Sequence, residues 1–303
     1  MTECERIIAS GRFSSDYLKE ETLCDFWVDT DRKKLWMVLL DLLLEFDRVC
    51  KKHNLKYVLA YGSLLGAVRH KGFIPWDDDL DVAMFREDYE KLLQIGPGEF
   101  SAPYLFQTPE TDEGYGFSFV KIRNANTTGI SNAFRYEKFN QGLFLDVFPM
   151  DNYLPDNAEQ TYDTIQALNL ENSTYMRLSN PHPSARDQAR IAAHSGRHPR
   201  EVNAQIQSIA RQYESIPTQQ VCVYVNTILP YRVETFPRSC FDQIIDWEFE
   251  GFRFPIPADY DTVLRIGYNA YMEFPPMEKR GNWHDGFFDP DMPYHQYAKR
   301  FYE

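Results

Sequence analysis

Residues 57–84 read YVLAYGSLLGAVRHKGFIPWDDDLDVAM, and this stretch decides the fold. Tyr57 to Ala60 predicts a short buried strand, Gly62-Ser63 opens a helix from about Leu64 to His70, and a second strand runs from Asp79 to Phe85. Side chains two apart on a strand share a face at roughly 6.6 Å Cα spacing, so Asp79 and Asp81 converge on one side while Leu80 and Val82 enter a core. Two carboxylates fixed this way suit a divalent cation held against a phosphate.

Outward from this stretch, Trp36, Leu39, Leu40, Leu43, Phe46, Val49 and Cys50 recur at three-to-four spacing, predicting an amphipathic helix from about Lys33 to His53. A helix over Glu87 to Leu93 follows the carboxylate strand, and beyond Gly96-Pro97-Gly98 strands are expected near Tyr104–Gln107, Phe117–Arg123 and Gly142–Phe148. Asn157 to about Leu178 and Asp187 to about Tyr213 read as helices, then come an aromatic strand Trp247–Phe254 and a helix Asp259–Tyr271. The fold class is therefore α/β (α+β): a mixed β-sheet flanked by helices, with a mostly helical insertion and C-terminal portion. The expected division is a catalytic core with an N-terminal helix over 1–155, a helical region over 156–235 and a segment over 236–303 that completes the substrate cleft.

Within the expected strand Gly142–Phe148, Asp146 is the only charge in an apolar run. A lone buried carboxylate costs several kcal/mol unless it is paired, hydrogen-bonded or metal-bound, so Asp146 is the natural third ligand beside Asp79 and Asp81. Three aspartates in a row, Asp77-Asp78-Asp79, are usually a solvated turn, and a Gly-Ser pair is usually an ordinary one. The EF-hand spacing is absent. Only the combined order of strand, Gly-Ser, helix, carboxylate strand and apolar-flanked Asp lifts the phosphate reading above these plainer ones.

Net charge bounds the partners. Lys and Arg number 32 against 45 Asp and Glu, and a net charge of −13 repels an extended polyanion, which argues against nucleic acid. Five scattered cysteines without a C-x-x-C suit neither a disulfide framework nor a zinc ribbon, and a reducing cytoplasm is expected. No signal peptide is evident in MTECERIIASGRF, and the apolar run near Leu35–Leu44 is broken by Asp41, too short for a membrane span.

The segments GSLLGAVRHKGFIPWDDDLDV, QGLFLDVFPMD and YMEFPPMEKRGNWH resemble the LicD/fukutin family of the nucleotidyltransferase-fold superfamily. The similarity runs from about Leu35 to Asp151 and resumes near Phe241 to His284; residues from about Asn157 to Gln220 carry no matching motif. The resemblance implies a phosphotransferase that moves a phospho-alcohol from its CDP derivative to a hydroxyl of a surface glycan or teichoic acid, releasing CMP. It implies Mg²⁺, with Mn²⁺ as its substitute, on Asp79, Asp81 and Asp146, and phosphates at Gly62 and Ser63. Many relatives read Tyr-Gly-Asp-Tyr-Met where this chain has Tyr268-Asn269-Ala270-Tyr271-Met272, which leaves the part played by the C-terminal block open.

In that mechanism glycine at 62 lets backbone approach the pyrophosphate and Ser63 donates at a helix N-terminus. Asp81, Asp146 or Asp77 accepts the proton of the acceptor hydroxyl. Arg69, Lys121 and Arg123 are candidate cations for the diphosphate, with His70 and Lys71 beside them, and His284 closes the C-terminal block near Arg280 and Trp283. A quaternary ammonium headgroup would need an aromatic cage, for which Trp76, Tyr115, Tyr136 and Trp283 are candidates. Peripheral membrane association through a lipid-linked acceptor is compatible with the sequence. Transfer of a nucleotidyl group from an NTP uses the same carboxylates and is the rival enzymatic reading; a cation- or glycan-binding module without turnover is the rival of another class.

Overall fold

The computed structural model describes residues 1–225, 235–281 and 285–301. In chain order the elements are α1 (Glu3–Ala9), β1 (Glu21–Leu23), β2 (Phe26–Val28), α2 (Thr30–His53), β3 (Val58–Leu59), α3 (Tyr61–His70), β4 (Asp81–Phe85) and α4 (Arg86–Glu99). Then follow β5 (Tyr104–Gln107), β6 (Val120–Asn124), β7 (Thr128–Ser131), β8 (Leu143–Tyr153), α5 (Pro155–Tyr175), α6 (Ala185–Ala192) and α7 (Pro199–Ala210). The remainder comprises β9 (Gln220–Cys222), β10 (Thr235–Pro237), β11 (Ile244–Phe249), β12 (Phe252–Pro257), α8 (Tyr260–Tyr268), β13 (Gly286–Asp289) and α9 (Tyr294–Phe301).

Seven strands form a mixed sheet in the order β10-β9-β8-β4-β3, with β6 also on β8 and β5 on β6. The central pairing, β4 with β8, is parallel and sets Asp81 opposite Asp146. Antiparallel β6 sets Lys121 opposite the same Asp146. Alternation then sorts the two faces. Val82, Met84, Leu145 and Val147 enter a core built with α2, α4 and the β11–β12 hairpin, whereas Ala83, Phe148 and Met150 enter a second core with Ile165 of α5 and Val202 and Ile206 of α7. Asp81 and Asp146 lie on the second face, each next to an apolar residue two positions along.

Helix α2 is the central prop. Asp29 caps it by accepting the Arg32 N–H at 2.8 Å, and Asn54 ends it in the left-handed conformation, φ 52°. Its one fully buried carboxylate, Asp41, is met by Arg6 at 3.0 Å, Arg12 at 2.8 Å and the Tyr104 hydroxyl at 2.7 Å, which ties the N-terminal segment to the core.

Several sequence expectations are corrected. The strand placed at Asp79–Phe85 begins only at Asp81, because Asp77's carbonyl is held by the Arg32 guanidinium at 2.7 Å and the Trp36 indole at 3.1 Å, which keeps residues 77–80 in a loop. Helix α4 runs on to Glu99 through Gly96-Pro97-Gly98; a Cβ at Gly96 would meet the Phe106 ring at 2.4 Å, so the glycine there serves packing. The helix expected over 187–213 is two, α6 and α7, divided where Gly196 is left-handed (φ 81°) and Pro199 restarts the chain. The aromatic strand 247–254 is a hairpin, turned by Glu250 (φ 51°) and Gly251 (φ 77°), with Trp247 opposite Phe254. Helix α8 stops at Tyr268, three residues before the expected end, because Asn269 adopts φ 54°.

A carboxylate site at the N-terminus of helix α3

Helix α3 starts at Tyr61, so Gly62 and Ser63 are its second and third residues rather than the turn before it. Ala60 offers no side-chain cap, and Leu64 N–H makes the first intrahelical bond, to Ala60 O, so the first turn presents backbone N–H groups at the positive end of the helix. Tyr61 enters the helix at φ 46°, backbone that a bulky residue rarely adopts and that clusters at functional sites. The helix start is bolted to β4: Ala60 N–H donates to Asp81 O at 3.0 Å, and Asp81 N–H donates to Ser63 Oγ at 2.8 Å. Both Ser63 and Asp81 are buried. Here Ser63 acts as an acceptor inside the protein, a role that its sequence position did not reveal.

The loop 77–80 wraps this end. Carboxylate oxygens of Asp77, Asp78 and Asp79 lie within 4.8 Å of one another. A Cβ at Gly62 would stand 2.7 Å from Asp77 Oδ2, so the glycine leaves the room that this carboxylate takes. Burial pushes Asp77 up to about 7, opposed by a hydrogen bond with Asp79. Burial, then the charges of Asp79 and Asp146, hold Asp81 well above the usual carboxylate range, with Lys121 acting the other way. Asp79, though off the strand, thus acts on Asp81 as a near neighbour.

Asp146 is paired. Lys121 Nζ lies 2.5 Å from its Oδ1, and the ammonium sits 3.5 Å from the centre of the Phe144 ring, with Phe117 and Phe119 at 5.1 and 5.2 Å. Burial lowers Lys121 to about 8, against the pull of Asp146. Arg123 shares that face, but its guanidinium donates to Gln107 Oε1 at 2.5 Å and Gly142 O at 2.6 Å. Arg69 turns to the C-terminal segment, donating to Tyr271 O at 2.7 Å and Glu273 O at 3.2 Å beneath the Phe274 ring. His284 and Trp283 lie outside the described residues.

Of the other aromatic candidates, Trp76 is buried with the Arg280 guanidinium 4.8 Å from its ring, and Tyr115 is buried with its hydroxyl donating to Phe119 O at 2.9 Å. Tyr136 is half-buried, with the Arg135 guanidinium 4.9 Å from its ring. Sequence reasoning missed Tyr268, the last residue of α8. Helix α8 packs on α3, which brings the C-terminal block to the carboxylates, and burial of the Tyr268 hydroxyl, with the charges of Asp81, Asp77 and Asp79, pushes its phenol up. Its signal lay in the Tyr-Asn-Ala-Tyr-Met motif.

Residues 54–186 match the family described as LicD/FKTN/FKRP, nucleotidyltransferase domain. That stretch, somewhat under half of the chain, is similar to this family's domain. The chain is 27% identical over 254 residues to the lipopolysaccharide cholinephosphotransferase LicD of Haemophilus influenzae, covering 82% of this chain and 94% of that protein. It is 31% identical over 116 residues to the human ribitol 5-phosphate transferase FKRP, covering 38% of this chain and 20% of that protein. A Rickettsia prowazekii protein, the uncharacterized RP689, is 32% identical over 124 residues, 38% of this chain and 46% of its own length. The matched LicD domain contains α3, the aspartate loop, β4, β6 and β8, that is, every element of the carboxylate site except Tyr268.

For a metal, the donor chemistry is decisive. Asp77, Asp78 and Asp79, whose carboxylates lie together, offer only oxygens, the donors that hard dications such as Mg²⁺ and Mn²⁺ take; Asp81 and Asp146 stand outside that group, side by side across β4 and β8. A bound dication would relieve the burial and like-charge repulsion that raise Asp77 and Asp81. The donor chemistry of Asp77, Asp78 and Asp79 fits such an ion.

Proposed function

We propose that this chain transfers a phospho-alcohol, such as phosphocholine or a polyol phosphate, from a CDP-activated donor to a hydroxyl of a cell-surface glycan, releasing CMP. The observation that carries this reading is the register of Asp81 with Asp146 on adjacent parallel strands, bonded through Asp81 to the uncapped start of α3. Helix N-termini bind phosphates through free N–H groups and the helix dipole, and paired carboxylates beside them suit phosphoryl transfer. The chain is a transferase of phosphate-containing groups, in keeping with its LicD relative.

The residues divide the work. Backbone N–H groups of the first turn of α3 hold and orient the donor's phosphate oxygens. Asp79, Asp81 and Asp146 would hold Mg²⁺ or Mn²⁺, which when bound offsets the charge that grows on the leaving CMP. A carboxylate of this group, among Asp77, Asp81 and Asp146, takes the proton from the acceptor hydroxyl. The Tyr268 phenol and the Arg69-clasped segment from Tyr271 to Phe274 border the site where headgroup and acceptor would enter.

Two wider features accord with this reading. No helix among the described residues is long and apolar enough to cross a membrane, and all five cysteines are free, as a cytoplasmic enzyme meeting a lipid-linked acceptor at the membrane surface would be. The test is to offer CDP-choline, CDP-ribitol and CDP-glycerol and follow CMP. CMP release from one of them with transfer to a glycan supports the proposal, whereas pyrophosphate release from an NTP supports nucleotidyl transfer instead.

A further inference from the structure

Two arginines of this acidic chain, Arg69 and Arg280, meet on one exposed ring, and among the described residues neither has an acidic partner. The guanidinium of Arg69, near the C-terminal end of α3, lies 5.1 Å from the centre of the Phe274 ring, and that of Arg280 lies 5.5 Å from the same centre. Arg69 donates through Nε to His70 Nε2 at 2.9 Å and through Nη1 to Tyr271 O and Glu273 O. Arg280 donates through Nε to Pro275 O and through Nη1 to Cys24 O, both at 2.8 Å. These acceptors are all neutral, and neither Nη2 group bonds to a described residue. Arg86 and Arg6, by contrast, are met by Asp151 at 2.7 Å and Asp41 at 3.0 Å. Burial lowers Arg69 from the usual guanidinium range, and the like charge of Arg280 acts in the same direction.

A structural clasp accounts for the Nε and Nη1 bonds, which tie the C-terminal segment to α3 and to the β1–β2 turn. It does not account for two like charges set on one ring in a chain of net charge −13, each with N–H donors to spare. Guanidiniums placed in this way suit a phosphate, whose oxygens can accept from both. Phe274 adds a second element, since it is 46% exposed and offers an apolar surface on which the C–H face of a sugar ring can lie.

Position decides whose phosphate this is. Arg69 follows Tyr61 by eight residues along α3, about 12 Å at roughly 1.5 Å per residue, so the pair stands apart from the first turn proposed for the donor's phosphates. It still adjoins the chemistry, because the Arg280 guanidinium also lies 4.8 Å from the ring of Trp76, the residue before Asp77. Resting on the phosphotransferase reading above, we infer that Arg69 and Arg280, with the Phe274 ring they share, bind a phosphate group carried by the acceptor glycan. The pair thereby favours phosphorylated acceptors over neutral ones.

The experiment is isothermal titration calorimetry of the full chain with glucose 6-phosphate, glucose, inorganic phosphate and CDP. The wild type should bind glucose 6-phosphate at least tenfold more tightly than glucose; equal affinities, or binding of neither, overturn the inference. Arg280→Gln should weaken glucose 6-phosphate at least tenfold and leave CDP within about threefold, with Arg280→Lys in between for the sugar phosphate. An Arg280→Gln chain that loses tenfold for CDP and nothing for glucose 6-phosphate gives the pair to the donor and overturns the inference. Phe274→Ala should weaken glucose 6-phosphate but not inorganic phosphate; an unchanged glucose 6-phosphate affinity overturns the sugar assignment. Should Arg280→Gln fail to fold, the wild-type preference and Arg280→Lys decide. CMP release from the CDP donors is followed in parallel. CMP release without the phosphate preference refutes this inference and leaves the phosphotransferase reading standing, whereas the preference together with pyrophosphate release from an NTP refutes that reading and leaves the phosphate site standing.

Discussion

Gly62→Ala separates the site from the fold. The added methyl would lie 2.7 Å from Asp77 Oδ2, where ordinary contact begins at 3.4 Å, so the carboxylate must retreat by about 0.7 Å. It has little freedom to do so, because Asp77's carbonyl is held by Arg32 and Trp36 and its Oδ1 accepts the Asp78 N–H at 3.2 Å. A misplacement near 1 Å at reacting groups costs on the order of 10²-fold, so turnover should fall by roughly 30- to 100-fold. Stability should hardly change: alanine is favoured over glycine inside a helix by up to about 1 kcal/mol, which offsets the local crowding. The assay pairs CMP release from the CDP donor that the wild type uses with a thermal melt. Turnover within about threefold of the wild type would refute the claim that Asp77 and the start of α3 form one working unit, and a collapsed melt would refute the claim that only the site is touched.

Three further outcomes are expected. Ser63→Ala leaves the buried Asp81 N–H without its acceptor and should cost roughly 1–3 kcal/mol in urea unfolding, with activity reduced through a displaced Asp81. Asp41→Asn removes the charge that Arg6 and Arg12 share and should cost about 3 kcal/mol, with residues 1–20 becoming the first site of limited proteolysis. His70 is lowered to about 4 by burial and by Arg69, while the unfolded chain takes up its proton near 6.5. Between these values the unfolded state binds more protons, so stability is lost as pH falls from about 6.5 to 4; His70→Gln should flatten that part of a denaturation-versus-pH curve.

The sequence carried the centre of this molecule well and its margins poorly. The period-two pattern around Asp81 and Asp146 was legible because one-face burial leaves an alternating trace, and the long apolar stripe of α2 was legible for the matching helical reason. Glu250-Gly251 was not, because aromatic residues on both sides read as one continuous strand while the turn depends on two positive-φ residues. The break at residues 193–198 was signalled by Gly196 and Pro199, but the helical spacing on either side of it read as one continuous helix. At the site, composition identified the right residue types but not their partners. That Lys121 belongs to Asp146, Arg123 to Gln107, and Ser63 to the Asp81 backbone follows from strand register and loop closure between segments distant in sequence. Tyr268 illustrates the limit most plainly, since only the packed chain brings the end of α8 to the aspartates.

The central claim, that the paired aspartates beside α3 perform phospho-alcohol transfer, is tested most directly by phosphorus NMR of the products formed from a CDP-alcohol and a glycan acceptor by wild type and Asp81→Asn. The account predicts CMP and a glycan phosphodiester from the wild type, and from a folded Asp81→Asn at most about 1% of that rate. Undiminished product from Asp81→Asn, or a wild type that leaves every CDP-alcohol intact while releasing pyrophosphate from an NTP, would contradict it.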